Sequence, residues 1–553
     1  MFKKEIAEGI YAALMGRMSK DEIMSKLEVP ADSSFGEFSF PTFTLAGMLK
    51  KSPKIIAEEL SKDIKLDIIS EVKAVNGFLN FYINRNDAAE IILSEIEKNA
   101  PEDFYNTSGQ TIVIDYSSPN IAKPFSMGHL RATILGDSLA RILKKTGADV
   151  IGINHLGDWG TQFGKLITAY KKWGSEEKVS KNPIKELFEL YQKFHVEAES
   201  TPELEDEARQ AFSLLEQGND VQMKLWNWFR EVSIESFEVL YKRLGIDFDY
   251  IQGESFYNDK LSDVNQLLER KKLIEFDQGA YIVRLNKLPP ALIKKRDGAS
   301  LYITRDIAAM LHRVKHFQAD QILYVVGQEQ SVHFNQLSQI SDILNISTDI
   351  EHVPFGLILK NGRKMSTRKG SVILLDDIIR DVEHHALNII AEKNPDLKNK
   401  ENIASHITDA AVKFMDLKHD RMNSYEFNIE DMLRFDGETG VYVMYTNSRI
   451  QSILRKTDRK IEGTVFKFDE NMWPVLNQLS KYHAAVKEAA EKRMPSEICK
   501  YVIKLCREFN SYYAKERIIH SNNDISKLYM LKMVSNNIEE AMSLLGIKTV
   551  NEM

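Results

Sequence analysis

The hydrophobic positions of the chain change their period in a repeating way. Residues 111–116 are β-branched and apolar, a run short enough for a buried parallel strand. Ser117, Ser118, Pro119 and Asn120 break it, and from Gly128 onward Leu130, Ile134, Leu139, Ile142 and Leu143 recur at helical spacing. Further short strands are predicted over 150–153, 322–326 and 355–359, and Asp306 stands before a helix predicted over 307–316. Strands alternating with helices point to an α/β core with a parallel sheet.

The flanks follow other patterns. Residues 1–108 combine helical stretches near 3–16 and 53–63 with SSFGEFSFPTFTLA and with EVKAVNGFLNFYINR, which alternates like two strands about Asn76-Gly77. This predicts a separate α/β domain. The core spans 109–376, with a charged, mostly helical insertion at about 170–290 that includes a strand pair near 273–285. From 377 the pattern is helical: a connecting region over 377–430, then a bundle over 431–553 with a polar connection around 456–470. Its clearest stripe is Ile498, Val502, Leu505, Cys506, Phe509 and Tyr513.

Composition narrows the class. A chain of 553 residues, 43% hydrophobic and 28% charged, reads as an ordinary soluble protein of several domains. No apolar run reaches the ~18 residues of a membrane span, and the amphipathic start lacks the layout of a signal peptide. Cytoplasm is the expected compartment and no membrane partner is expected. A net charge of -7 argues against a protein basic all over, while leaving room for a local basic stripe. The two cysteines, Cys499 and Cys506, share one apolar helical pattern and read as buried thiols, so no zinc cluster is expected.

Chemistry concentrates on the loops that follow strands. Lys123, Ser126, Gly128 and His129 lie where a strand enters a helix, the usual phosphate position of a parallel sheet. An ordinary turn with His129 as a cap fits the same residues. Asn154, His155, Gly157, Asp158 and Trp159 form a second, glycine-rich loop, which either approaches a ligand closely or buries its Trp in a tight turn. Asp306 is a ligand or a simple N-cap. Arg363, Lys364, Arg368 and Lys369 surround Ser366 and Gly370, which suits a polyphosphate clamp as well as a solvated basic loop.

Two such loops in one α/β domain resemble the class I aminoacyl-tRNA synthetases. Ser126-Met127-Gly128-His129 stands where that family has His-Ile-Gly-His, and Lys364-Met365-Ser366-Thr367-Arg368 where it has Lys-Met-Ser-Lys-Ser. The stretches SSPNIAKPFSMGHLR, NHLGDWGTQFGKL, YITRDIAA and FDGETGVYVMYTNSRIQSIL, with FGEFSFPTF and VNGFLNFYI before them, are similar to arginyl-tRNA synthetases across essentially the whole chain.

The resemblance implies a Rossmann-like catalytic core, an N-terminal domain that touches the tRNA elbow, and a C-terminal all-α anticodon-binding bundle. It implies that L-arginine and ATP give arginyl-adenylate and pyrophosphate, and that arginine then passes to the terminal adenosine of tRNA(Arg). Mg²⁺ would accompany ATP, and a monomer is expected. Lys123, His129, Lys364, Arg368 and Lys369 would serve catalysis. Ser118, Asn120, His129, Tyr302, Asp306 and Gln330 would hold arginine. Ser126, Gly128, His129, His155, Gly157, Lys364, Met365 and Ser366 would hold ATP, and Tyr442, Tyr445 and Arg449 would meet tRNA. Two departures stand out: Ser126 replaces the first signature histidine and Thr367 the second lysine. They motivate a reading as an inactive tRNA-binding paralogue, against which Asp306, Gln330 and His129 speak. A cysteinyl enzyme would want metal-binding cysteines, and the branched-chain enzymes a long editing insertion that does not fit between 143 and 300.

Overall fold

A five-residue β-branched run gains nothing as a lone strand in water, and Thr111–Asp115 (β1) is hydrogen-bonded on both edges. In the computed structural model, which describes residues 2–98, 105, 107–295, 302–365, 375–457, 466–519 and 524–553, β1 leads into helix α1 (Met127–Lys145) and then β2 (Asp149–Asn154). Helix α2 (Thr161–Trp173), strand β3 (Tyr250–Ile251), helix α3 (Tyr302–Phe317), strand β4 (Gln321–Gly327), helix α4 (Ser331–Ile343) and strand β5 (Asp349–Phe355) follow. The sheet order is β5-β4-β1-β2-β3, every pair parallel.

The chain therefore winds from β1 to β2 on one side and returns to β4 on the other. A crevice opens at the carboxyl ends of β1 and β4, where an open α/β sheet takes its ligands. The sheet is buried through Val113, Ile153, Ile322 and Tyr324, packed against Ile303, Ile307 and Met310 of α3 and Phe334, Leu337 and Ile340 of α4. Each such side chain contributes roughly 1.5–3 kcal/mol by leaving water. Helix α1 crosses the sheet closely at Gly136, where a Cβ would stand 2.2 Å from Tyr116 Cβ.

The described residues divide into two units, and this catalytic sheet lies in the one made of Glu102–Arg449, Ala485–Ile503 and Glu539–Met553. Residues 170–290 form helices Glu176–Lys181, Pro183–Ser200, Glu203–Glu216, Asp220–Leu244 and Leu261–Arg270. The same segment supplies the edge strand β3. Its strand pair gains a third member: Ile274–Asp277, Ala280–Val283 and Ala291–Lys295 make one antiparallel sheet.

Two sequence expectations are corrected. The strand expected over 355–359 is two strands. Strand β5 ends at Phe355, because at Gly356 the backbone of Met422 and Asn423 passes 2.8 Å from where a Cβ would be. Ile358–Lys360 instead pairs antiparallel with Arg363–Lys364 and parallel with Tyr425–Glu426. Asp306 does not precede its helix. It lies inside α3, which has begun by Tyr302, so it is no N-cap.

The other unit comprises Met1–Pro101, Ile450–Ala484 and Lys504–Ile538. Its antiparallel sheet places Phe78–Ile83 between Phe38–Pro41 and Ile69–Val75. Asn76 (φ 51°) and Gly77 (φ 83°) make the left-handed turn that a two-residue hairpin needs. Ile6, Ile10, Phe40, Ile56, Leu79 and Phe81 form its core. Arg85 ties the N-terminal segment to the later helices, pairing with Glu37 at 2.9 Å and Glu470 at 2.8 Å. Cys506, in this unit, and Cys499, in the catalytic one, are both buried thiols.

Candidate active site

The loop after β1 is held in an unusual backbone. Ser117 (φ 71°), Ser118 (φ 48°) and Ala122 (φ 58°) occupy the left-handed region, a conformation non-glycine residues adopt at some cost and only when their surroundings enforce it. The enforcing contacts are polar. Ser118 N–H donates to Asn154 Oδ1 (3.2 Å), Ser118 Oγ to Asp115 Oδ1 (2.9 Å) and Ala122 N–H to Ser233 Oγ (3.0 Å). Ser117 Oγ lies 2.8 Å from Tyr241 OH, to which Asn154 Nδ2 also donates (3.0 Å). The left-handed turns place Ser118 and Asn120 at the carboxyl end of the sheet.

Asn120 and Gly157 join this loop to the next. Gly157 N–H donates to Pro119 O (3.1 Å), Ile121 N–H donates to Gly157 O (3.3 Å), and a Cβ on Gly157 would stand 2.3 Å from Asn120 Oδ1. Gly157 is needed for close approach of backbone, as a glycine-rich loop suggests. Asp158 and Trp159 of that loop are structural. Trp159 is buried against Trp226 (5.3 Å between rings), and the fully buried Asp158 accepts from Arg230 Nε (3.0 Å), Ser255 N–H (2.8 Å) and Ser255 Oγ (2.8 Å). Asp158 thereby fastens the segment carrying Glu254 against the loop.

Ser126 is the N-cap of α1, and His129 sits three residues on. Ser126 N–H donates to His129 Nδ1 at 3.1 Å, and the hydroxyl of Ser126 lies 3.2 Å from the same atom. His129 plays the part that Glu or Gln plays in a capping box. A backbone N–H can only donate, so Nδ1 is the acceptor and the ring proton is on Nε2. Burial, with Lys123 nearby, pushes the imidazole down to about 4. At neutral pH His129 is an uncharged Nε2–H donor. Gly128 is exposed on the first turn, with N–H groups that have no partner inside the helix. Lys123 is half-buried, its ammonium 5.4 Å from the Tyr191 ring centre, and burial lowers its pKa.

The first turns of α3 and α4 bring together residues of the opposite wall. His333 Nε2 donates to Asp306 Oδ2 at 2.6 Å. Glu254 lies close enough for Asp306 and Asp158 to raise its carboxyl, but burial is the larger cause; together they push it up to about 8 against the pull of Arg305. Its Oε2 is buried without a hydrogen-bond partner. Tyr302 opens α3 and is exposed; Gln330 immediately precedes α4 and is exposed too. His155 is half-buried, stacked on Tyr257 with ring centres 5.6 Å apart.

Of the basic strand–helix loop, Met365 N–H donates to Ile358 O at 3.2 Å and the backbone of Lys364 pairs with Leu359. The turn before it, Asn361 (φ 53°) and Gly362 (φ 69°), gives both N–H groups to the Glu426 carboxylate, the second at 3.2 Å. Ser366, Thr367, Arg368, Lys369 and Gly370 lie outside the described residues, as does the Lys364 side chain. Tyr442, Tyr445 and Arg449 stand on helix Gly440–Arg455 rather than at the strand ends. Tyr445 is exposed, with the Arg449 guanidinium 5.0 Å from its ring centre, and Tyr442 is half-buried.

Sequence reasoning singled out neither Glu254 nor His333. Glu254 sits in a segment read as an insertion without a motif. A histidine three residues after Gln330 at a helix start was the available signal for His333.

Comparison with known proteins matches the chain to three family models. Residues 92–429 match the class I (R) tRNA synthetase catalytic domain, 443–553 the DALR anticodon binding domain and 2–83 the arginyl tRNA synthetase N-terminal domain. The chain is similar to the arginine–tRNA ligase of Pediococcus pentosaceus, 46% identical with 100% of each chain covered, and to that of Streptococcus mutans, 45% identical with 98% of each covered. The solved structure of the Thermus thermophilus arginyl-tRNA synthetase shares the fold, with a TM-score of 0.83 at 22% identity over 100% of both chains.

Proposed function

The chain belongs to the arginyl-tRNA synthetases, class I enzymes that use ATP to join L-arginine to tRNA(Arg); from that premise we propose how its residues divide the work. Asp306 and Glu254 take the guanidinium, and the observation that carries this is their pairing. Asp306 adjoins a second carboxyl, Glu254, that is partnerless on one oxygen and raised chiefly by burial. A planar cation with five N–H donors supplies a positive charge and satisfies the acceptors. Tyr302 and Gln330 flank it, and His333 holds Asp306 in place. Ser118 and Asn120 hold the amino and carboxylate end.

Adenylation is an in-line attack of the arginine carboxylate on the α-phosphorus. The new O–P bond forms as the bond to pyrophosphate breaks, and the nucleophile is already anionic, so no general base is required. The work is positioning and stabilisation of oxygen charge. Lys123, the Nε2–H of His129 and the free N–H groups near Gly128 serve the α-phosphate, and Ser126 acts as the cap that sets His129. His155 and Gly157 border the ATP site with Met365 and Ser366. Lys364, Arg368 and Lys369 close on the outer phosphates, with Mg²⁺ arriving as part of the ATP substrate. The 3′-terminal ribose hydroxyl of tRNA(Arg) then attacks the arginyl carbonyl and AMP leaves.

The regions assigned from the sequence keep their roles in this reading: 1–108 for the tRNA elbow, 109–376 for chemistry, 377–430 as connection and 431–553 for the anticodon. Tyr445 with Arg449 offers a base-stacking face beside a cation. A monomer working in the cytoplasm is what membership of the family leads us to expect. ATP–pyrophosphate exchange across the twenty amino acids, with and without tRNA, tests the reading. Exchange with arginine alone supports it; exchange with lysine and not arginine contradicts it.

A further inference from the structure

Arg313 lies on α3 beneath the cleft and is fully buried. Burying a guanidinium is costly unless it is paired and hydrogen-bonded throughout, yet its Nε and Nη1 have no hydrogen-bond partner. Its Nη2 is placed otherwise. It donates to Asp115 Oδ2 at 2.7 Å and stands 3.3 Å from His155 Nδ1. The other oxygen of Asp115 accepts the hydroxyl proton of Ser118 at 2.9 Å. A single nitrogen with two N–H groups thus reaches both loops at the carboxyl end of the sheet.

A guanidinium has donors and no acceptor. His155 Nδ1 opposite it must be the accepting nitrogen, which leaves the ring proton on Nε2. Stacking on Tyr257 at 19° between planes holds the plane of the ring, and Tyr257 is itself held by its hydrogen bond to Gln252 (3.2 Å). Ser126 N–H imposes the same tautomer on His129. Both histidines then present a neutral Nε2–H.

We propose that Arg313 is a positioning residue for adenylation: it fixes His155 as an Nε2–H donor and, through Asp115, fixes the Ser118 hydroxyl. The role of His155 toward ATP rests on the site reading above; the tautomer does not. An apolar side chain could fill the space of Arg313 but could set neither hydrogen bond.

The test is a long-range ¹H–¹⁵N correlation spectrum of the full chain labelled at histidine, with the His155 signals assigned by their loss in His155→Gln. The Nε2–H pattern is expected in the unaltered protein and in Arg313→Lys, which keeps a donor. Arg313→Met should give a mixed or Nδ1–H pattern, with the ATP KM raised about tenfold while Arg313→Lys stays within about threefold. An Nδ1–H pattern in the unaltered protein, or an unchanged pattern in Arg313→Met, overturns the proposal. If Arg313→Met fails to fold, the other two spectra decide: Nε2–H in both supports the proposal, and Nδ1–H in either overturns it. An ordinary ATP KM in His155→Gln would instead remove the ATP role of His155, with the spectra still deciding what Arg313 does.

Discussion

His333 Nε2 stands 2.6 Å from Asp306 Oδ2, joining the first turns of two helices that flank β4. The contact occupies one carboxylate oxygen and leaves the other for a ligand. Asp306→Asn removes the charge a guanidinium needs, so we expect the arginine KM to rise a hundredfold or more, about 3 kcal/mol of charge-assisted hydrogen bonding. The ATP KM should stay within about threefold. His333→Ala frees Asp306 to turn away, and a roughly five- to tenfold rise in arginine KM is expected. Steady-state exchange kinetics check both.

Glu254 gives the site a pH signature. Its carboxyl is pushed up to about 8 when no ligand is present, and a bound guanidinium favours its ionised form. Arginine binding should therefore release a proton below pH 8 and tighten as pH rises toward 8, levelling above it. Calorimetric titration in buffers of different ionisation enthalpy measures the proton count. Glu254→Gln should abolish the release.

His129 is held down to about 4, below the 6.5 of a free imidazole. The unfolded chain binds the extra proton between these values, so this residue contributes stability above pH 6.5 that is lost as pH falls from about 6.5 to about 4. Urea midpoints should show that loss in the unaltered protein and a smaller one in His129→Gln. The rate of exchange should fall in His129→Gln, which has a donor of different reach.

Gly157→Ala would drive a methyl group to 2.3 Å from Asn120 Oδ1. Relief requires Asn120 or the loop to move. We expect a stability loss of about 1–3 kcal/mol and a rise in KM for both arginine, through Asn120, and ATP, whose site Gly157 borders. Thermal unfolding and exchange kinetics separate the two effects.

How much of this was legible follows from what is local. The strand, loop and helix over 111–143 show in the sequence because one buried strand and one buried helix face write their own periods. The parallel sheet follows from repeating that pattern. The break at Gly356 was hidden, since it is set by the backbone of Met422 and Asn423 coming close in space. Asp306 looked like a cap because TRD could open a helix; the helix had already begun at Tyr302. Glu254 is brought to the cleft by Asp158 gripping Ser255, a contact between residues 97 apart in sequence. Arg313 carries no local signal of its role, and only the fold buries it against Asp115.

The central claim is that the Asp306 carboxylate, with Glu254 beside it, selects the charge of arginine. Citrulline has nearly the shape of arginine without the charge. Exchange with both amino acids, measured side by side for the unaltered protein and Asp306→Asn, tests the claim most directly. The unaltered protein should prefer arginine by about a thousandfold or more, and Asp306→Asn should lose most of that preference. Undiminished preference for arginine in Asp306→Asn would contradict it.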